Sequence, residues 1–219
     1  MDKNCNFTLE HYRECLISFK TAGYKFLTFS EVGSSFLKKD KFFLCRHDVD
    51  HQLDLALNMA RIEASLGIKS TYFLRTQARS YNLFSWPSVQ VIHEIKDLGH
   101  ELGYHYEFPL EKQEQNLRFF ECTLNLLRSL FGDDTFHAIC PHEPARVKTN
   151  KSVGEDLRKK LEITYDAYDP VLMEKFKYIS DSSCHWREGC MHTYAKSSQN
   201  LYVLTHPVWW YNKNPGECY

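Results

Sequence analysis

The chain has 219 residues and a formal net charge of -1, with Lys and Arg spread along its length, so it carries no electrostatic footprint for nucleic acid or an anionic membrane. No run approaches the ~20 apolar residues of a membrane span, and no apolar leader follows Met1. A single soluble, cytoplasmic domain over residues 1–219 is therefore expected, with no nucleic-acid or membrane partner; composition says nothing of oligomeric state. Aromatic residues make up 15%, enough to fill a core and to line a ring-binding cleft.

The periodicity predicts a helix over 7–22, with Leu9, Tyr12, Leu16 and Phe19 on its buried side and Gly23 at its C-terminus. A short strand over 25–29 comes next. A second strand, 42–46, runs straight into Arg46-His47-Asp48-Val49-Asp50-His51, and Leu53, Ala56, Leu57, Ala60 and Ala64 then keep a helical period up to Gly67. Asp50 also suits the N-cap of that helix. A strand over 69–74 precedes Ser85-Trp86-Pro87, which reads as a helix start, with Val89, Ile92, Ile95 and Leu98 facing inward. Gly99 ends it, and a strand over 100–105 closes on His105. A long helix over 112–130 and a strand over 136–140 lead to Pro141-His142-Glu143-Pro144. Fainter elements follow: a helix near 151–160, strands near 163–165 and 176–179, and a last strand, 201–205, ending in His206-Pro207. This alternation argues for parallel βα units around a sheet or barrel.

Eight cysteines are scattered through the chain: Cys5, Cys15, Cys45, Cys122, Cys140, Cys184, Cys190 and Cys218. They contain no C-x-x-C pair and are read as reduced thiols, with Cys45 and Cys140 acting as small hydrophobes in apolar runs. The spacings argue against a zinc ribbon.

Four predicted strands end in ionisable groups: Asp48 and Asp50, His105, His142, and His206. In a barrel of parallel strands those ends meet on one face. Imidazoles with carboxylates form the ligand set of zinc or a related divalent transition metal, with one position open for water. One Asp can ligate the metal while the other takes a proton, and a His can protonate a leaving amine. That chemistry is amide hydrolysis.

The same residues resemble the polysaccharide deacetylase superfamily, the NodB-homology carbohydrate esterases, in a branch whose first motif reads His-Asp-Val-Asp. Arg46-His47-Asp48-Val49-Asp50 is similar to the first motif, Gly99-His100-Glu101-Leu102-Gly103-Tyr104-His105 to the second, and Pro141-His142-Glu143-Pro144 to the third. Asp181-Ser182-Ser183 with Trp186 is similar to the fourth, and Leu204-Thr205-His206 to the fifth. The resemblance covers residues 42–210. It implies a deformed (β/α) barrel of about seven parallel strands and metal-dependent removal of an acetyl or formyl group from an amino sugar or related carbohydrate. By this match Asp48 is the general base, His206 the general acid, Asp50 and His105 are metal ligands, and His100 is structural. The resemblance places a second metal His at Pro109, which cannot ligate. His142, where an arginine is expected, is the replacement, with Glu107 behind it.

Arg46, Asp181 and Trp186 are candidate substrate-binding residues, Trp186 as a wall stacking on a sugar. An ordinary salt bridge for Arg46 and a solvated loop for Asp181 and Trp186 are the alternatives. Trp209 and Trp210 read as core plugs at the barrel mouth. With no leader, a soluble acylated sugar such as a nucleotide-linked precursor of a surface polysaccharide is the expected small-molecule or oligosaccharide substrate. Two other functions fit parts of the sequence. A haloacid-dehalogenase-type phosphohydrolase would use Asp48 and Asp50 with Mg²⁺ and take Asp133-Asp134 as a further match, and a metal-free carbohydrate-binding descendant would keep only the barrel and its aromatics.

Overall fold

Eight strands, all parallel, make one sheet in the computed structural model, which describes residues 5–35, 40–143 and 153–213. In chain order the elements are α1 (Leu9–Thr21), β1 (Tyr24–Leu27), α2 (Val32–Ser35), β2 (Lys41–Val49), α3 (Leu53–Ser65), β3 (Thr71–Arg75), α4 (Trp86–Asp97) and β4 (Glu101–Tyr106). They continue with α5 (Gln113–Phe131), β5 (Ala138–Pro141), α6 (Glu155–Lys160), β6 (Tyr165–Asp166), α7 (Pro170–Lys175), β7 (Lys177–Ser180) and β8 (Leu201–Thr205). The strand order is β6-β5-β4-β3-β2-β8-β7, and β1 pairs with the first half of β2. The expected deformed barrel of about seven parallel strands is thus observed, curled but with β6 and β7 as its two ends.

β2 shows how the sequence specifies this wall. It is longer than the predicted 42–46, and all but its first residue are buried, because both faces of a parallel strand are covered. Its side chains alternate. Phe42 and Leu44 join the interior cluster with Phe73, Cys140 and Tyr202, and Arg46 and Asp48 continue that row. Phe43 and Cys45 face the opposite way, into a layer with Tyr12, Leu16 and Phe19 of α1. Arg46, on β2, reaches Tyr202 on β8 at 2.9 Å and also Cys140 on β5. Groups so far apart in the strand order touch only because the sheet curls.

The helix ends follow local chemistry. Ser85 caps α4 by accepting from the Ser88 N–H, with Pro87 in the first turn. Gly23, Gly67 and Gly99 take positive φ after α1, α3 and α4, the left-handed region that lets the chain reverse. Gly103 has a different reason: a Cβ there would lie 2.6 Å from the Phe73 ring, so the second motif's glycine makes room for interior packing. Asp50 does not cap α3; the N-cap is Gln52, which leaves the Asp50 carboxylate for another role. The helix α7 was not expected, and Pro144, Cys218 and the first residues of the expected 151–160 helix lie outside the described residues. Among the described residues no helix is long and apolar enough to cross a membrane.

Candidate active site

Asp48 is the last interior-facing residue of β2 and is 4% exposed. Arg46, two residues earlier on the same face, grips it with two bonds of 2.7 Å, Nε to Oδ1 and an Nη to Oδ2. A planar fork against a carboxylate is the strong form of this pairing. Burial pushes the Asp48 carboxyl up, but the Arg46 and His105 charges outweigh it and hold the group below its ordinary range. Asp48 is therefore an ionised carboxylate with a fixed orientation at the floor of the cleft.

Asp50, just past β2, meets two imidazoles. Its Oδ1 lies 3.2 Å from His105 Nε2 and 3.5 Å from His142 Nε2, and one ligand atom from each of the three falls within 4.8 Å of the others. Asp50 Oδ1 is buried and accepts no hydrogen bond. His105 Nδ1 lies 3.0 Å from the Cys140 carbonyl; donating there, it turns the Nε2 lone pair toward Asp50. Two lone pairs so close demand a positive charge between them, supplied by a proton or a metal cation. Burial pushes the Asp50 carboxyl up, but the close approach of His105 and the charges of His105, His206 and His142 pull it well below the usual range. Behind His142, Nδ1 lies 3.7 Å from Glu107, which also pairs with Arg75. Two imidazoles and one carboxylate, open toward the cleft, form a group that could hold a divalent metal ion.

His206, just past β8, completes the ring of strand ends. Its Nδ1 lies 2.7 Å from Asp181 Oδ1, while Nε2 turns to the cleft, 3.9 Å from Asp50 Oδ2. Burial disfavours its charged form, but the Asp181 bond and charge prevail and raise its pKa to about 9.

The cleft over these groups has a volume of about 870 Å³ and is lined by Asp48, Asp50, His105, His142 and His206, with Tyr168, Ser182, Arg187 and Trp209 among its walls. This is the size of a small-molecule site. All four predicted strand ends meet here.

Three residues expected to bind substrate stand elsewhere. Arg46 is 0% exposed and spent on Asp48, Tyr202 and Cys140; it is a buried counter-ion, not a contact surface. Asp181 is also 0% exposed and holds His206 and Trp210. Trp186 is 6% exposed, packs in the layer beside α1 and donates its indole N–H to Cys5 Sγ at 3.2 Å, so it does not wall the cleft. Trp210 is a core plug as expected, whereas Trp209 lines the cleft. Tyr168 and Arg79 also line it and were not singled out, because nothing in their local sequence marks a strand end. His100 is structural, bonded to the Ser70 N–H and the Ala60 carbonyl. Pro109 is exposed and stands outside the lining.

The phosphohydrolase alternative loses its support. Asp133 and Asp134 lie in the turn before β5, with Asp134 against Lys96 at 3.3 Å, at the strand end opposite the cleft. The histidines which that reading leaves idle are the ones gathered around Asp48 and Asp50.

No protein-family model matches the sequence, and no curated protein does. Solved structures do match. The Streptococcus pyogenes deacetylase PplD, solved in complex with acetate, is 15% identical, with 70% of this chain and 69% of that chain covered, at a TM-score of 0.53. A family 4 carbohydrate esterase from Bacillus anthracis is 11% identical over 88% of this chain and 76% of that chain, at a TM-score of 0.49. The chitin deacetylase of the fungal pathogen Colletotrichum lindemuthianum is 14% identical over 76% and 74%, at 0.46. The first of these likenesses establishes a shared fold, the deformed barrel that the motif resemblance implies.

Proposed function

We propose that this chain, folded like a bacterial deacetylase, is a divalent-metal-dependent hydrolase that removes an acetyl or formyl group from an amino sugar or related carbohydrate. The observation that carries the reading is the convergence of Asp50, His105 and His142 beside an arginine-held Asp48 and an aspartate-held His206 in one cleft. Asp50, His105 and His142 would hold the metal, with zinc the best fit to two imidazoles and a carboxylate. A divalent cation held there would supply Lewis-acid polarisation of the acyl carbonyl and would acidify the attacking water.

The chain's own residues do the rest. Asp48 accepts the proton of the attacking water, and the Arg46 fork keeps that carboxylate ionised and aimed. His206, charged at neutral pH through Asp181, gives the Nε2 proton to the departing amine. Tyr168 and Trp209 offer aromatic faces to a sugar ring. Arg79 and Arg187, both exposed on the cleft lining, suit a substrate carrying phosphate, as a nucleotide-linked sugar does.

The test is acyl release from N-acetyl and N-formyl sugars, neutral and nucleotide-linked, with the metal-stripped protein reloaded with zinc or cobalt. Release that needs the metal and disappears in Asp48→Asn supports the reading. Silence across the panel for the loaded, folded protein overturns it.

A further inference from the structure

Away from the cleft, four metal-seeking side chains converge between α1 and the segment after β7. His11 and Cys15 lie four residues apart on one face of α1. Cys190 is the N-cap of a 3₁₀ turn, Met191–Tyr194, and His192 stands inside that turn. One ligand atom from each of the four falls within 4.8 Å of all the others. His11 Nε2 is 3.3 Å from Cys190 Sγ and 3.5 Å from Cys15 Sγ, and the two imidazoles meet edge to face at 5.3 Å.

These separations have a chemical meaning. With zinc–sulfur bonds of ~2.3 Å and zinc–nitrogen bonds of ~2.0–2.1 Å, the ligand atoms of a tetrahedral site stand ~3.3–3.8 Å apart. The four side chains therefore need only small rotations to enclose an ion. Cys15 and Cys190 are buried and unoxidised, and His11 Nδ1 faces Glu14 at 3.6 Å, the outer-sphere carboxylate that commonly orients a ligating imidazole. Cys5 stands against both Cys190 and His11.

We propose that His11, Cys15, Cys190 and His192 form a structural Cys₂His₂ zinc site that staples α1 to the segment carrying Asp181, Ser182 and Arg187. Binding displaces both thiol protons to solvent, and the two thiolates neutralise the ion's charge. The staple fixes one wall of the cleft from behind, since Ser182 and Arg187 line it and Asp181 orients His206. The site uses none of the residues of the proposed catalytic triad.

Cobalt substitution of the reduced, full-length chain separates the two sites, because only thiolate ligands give an intense sulfur-to-cobalt charge-transfer band in the near ultraviolet. The band is expected in the parent chain and in His105→Ala, and is expected to be lost in Cys15→Ser and in Cys190→Ser. A reduced, folded parent chain without the band, or a band that survives Cys190→Ser, overturns the site. A measurement that does not depend on the cysteine variants folding is zinc content of the His105→Ala/His142→Ala double variant after loading under reducing conditions. One zinc per chain supports the staple. No zinc, or an intact mass two hydrogens short that marks a disulfide among Cys5, Cys15 and Cys190, overturns it.

Discussion

Asp181 holds His206 by backbone and ring together: both carboxylate oxygens take the His206 backbone N–H at 3.0 Å, and Oδ1 faces ring Nδ1 at 2.7 Å. Trp210 Nε1 adds a bond of 2.9 Å to Oδ2, so this buried carboxylate cannot turn away. With Nδ1 committed, the transferable proton of His206 sits on Nε2, the nitrogen that faces the cleft.

Asp181→Asn keeps the shape and removes the charge. A general acid works while protonated, so activity falls as pH rises through its pKa, about 9 for His206 in the parent chain. Without the Asp181 charge the His206 pKa drops, and the alkaline limb of the pH–kcat profile moves to lower pH. A loss of ~10²–10⁴ in kcat is expected near neutral pH, the usual contribution of a positioned acid. A pH–rate profile checks this, and an unmoved alkaline limb removes Asp181 from the role.

Arg46→Met tests the other side of the cleft. Arg46 is fully buried, so the variant leaves Asp48 almost buried with no guanidinium beside it. Breaking a buried ion pair from one side costs ~3–5 kcal/mol, measurable by urea unfolding. The Asp48 carboxyl also rises, and because a general base works while ionised, the acidic limb of the activity profile moves to higher pH. An acidic limb identical to that of the parent chain would show that Asp48 is not the group titrating there.

The strands that build the cleft were legible in sequence for a physical reason. β2, β4 and β8 are buried runs that carry polar groups at or just past their C-terminal ends, so Asp48, Asp50, His105 and His206 announce themselves, as does His142 past β5. α7 is six residues long, too short to show a period, and α6 and β6, six and two residues long, give only the faint signals near 151–160 and 163–165. Side-chain direction was less legible. Arg46 and His47 are neighbours in sequence, yet Arg46 turns to the interior and His47 to the opposite layer, where it meets Glu63 at 2.8 Å. Trp186 departs from its expected place for a related reason: its indole partner, Cys5, comes from the segment before α1, and no local spacing encodes that contact.

The Glu63 network gives a stability prediction. Glu63, on α3, is 0% exposed and accepts from Tyr72 at 2.7 Å and from Tyr12, and it pairs with His47, whose Nδ1 lies 2.6 Å from Thr205 Oγ1. Burial opposes both charges, but for Glu63 the His47 charge prevails and lowers its pKa to about 2, and for His47 the Glu63 charge prevails and raises it to about 10. The Glu63 contribution is full above its ordinary value of 4.5 and fades as pH falls toward about 2. The His47 contribution is full below 6.5 and fades as pH rises toward about 10. The pair therefore stabilises most between those ordinary values. Glu63→Gln is expected to cost ~3–5 kcal/mol in that window and to flatten the pH dependence, as read from urea unfolding at a series of pH values. A parallel downward shift at every pH would contradict the linkage.

His142 and Pro109 make the last prediction. The motif resemblance places a metal histidine at Pro109, but that residue is exposed and stands outside the cleft lining, whereas His142 Nε2 stands 3.5 Å from Asp50 Oδ1. A ligand is defined by where its nitrogen can reach, not by its place in a motif. His142→Ala is expected to abolish metal-dependent acyl release and to weaken metal binding at the Asp50 site, leaving two protein ligands where a catalytic ion takes three. Adding Pro109→His to that variant is expected to restore neither, because a histidine there starts outside the cleft. Metal titration of the stripped proteins, with Cys190→Ser in every background so that only the cleft site is read, checks both statements. Recovery of affinity in the double replacement would mean that the loop after β4 can swing its side chain into the site, and that His142 is not the residue completing the triad.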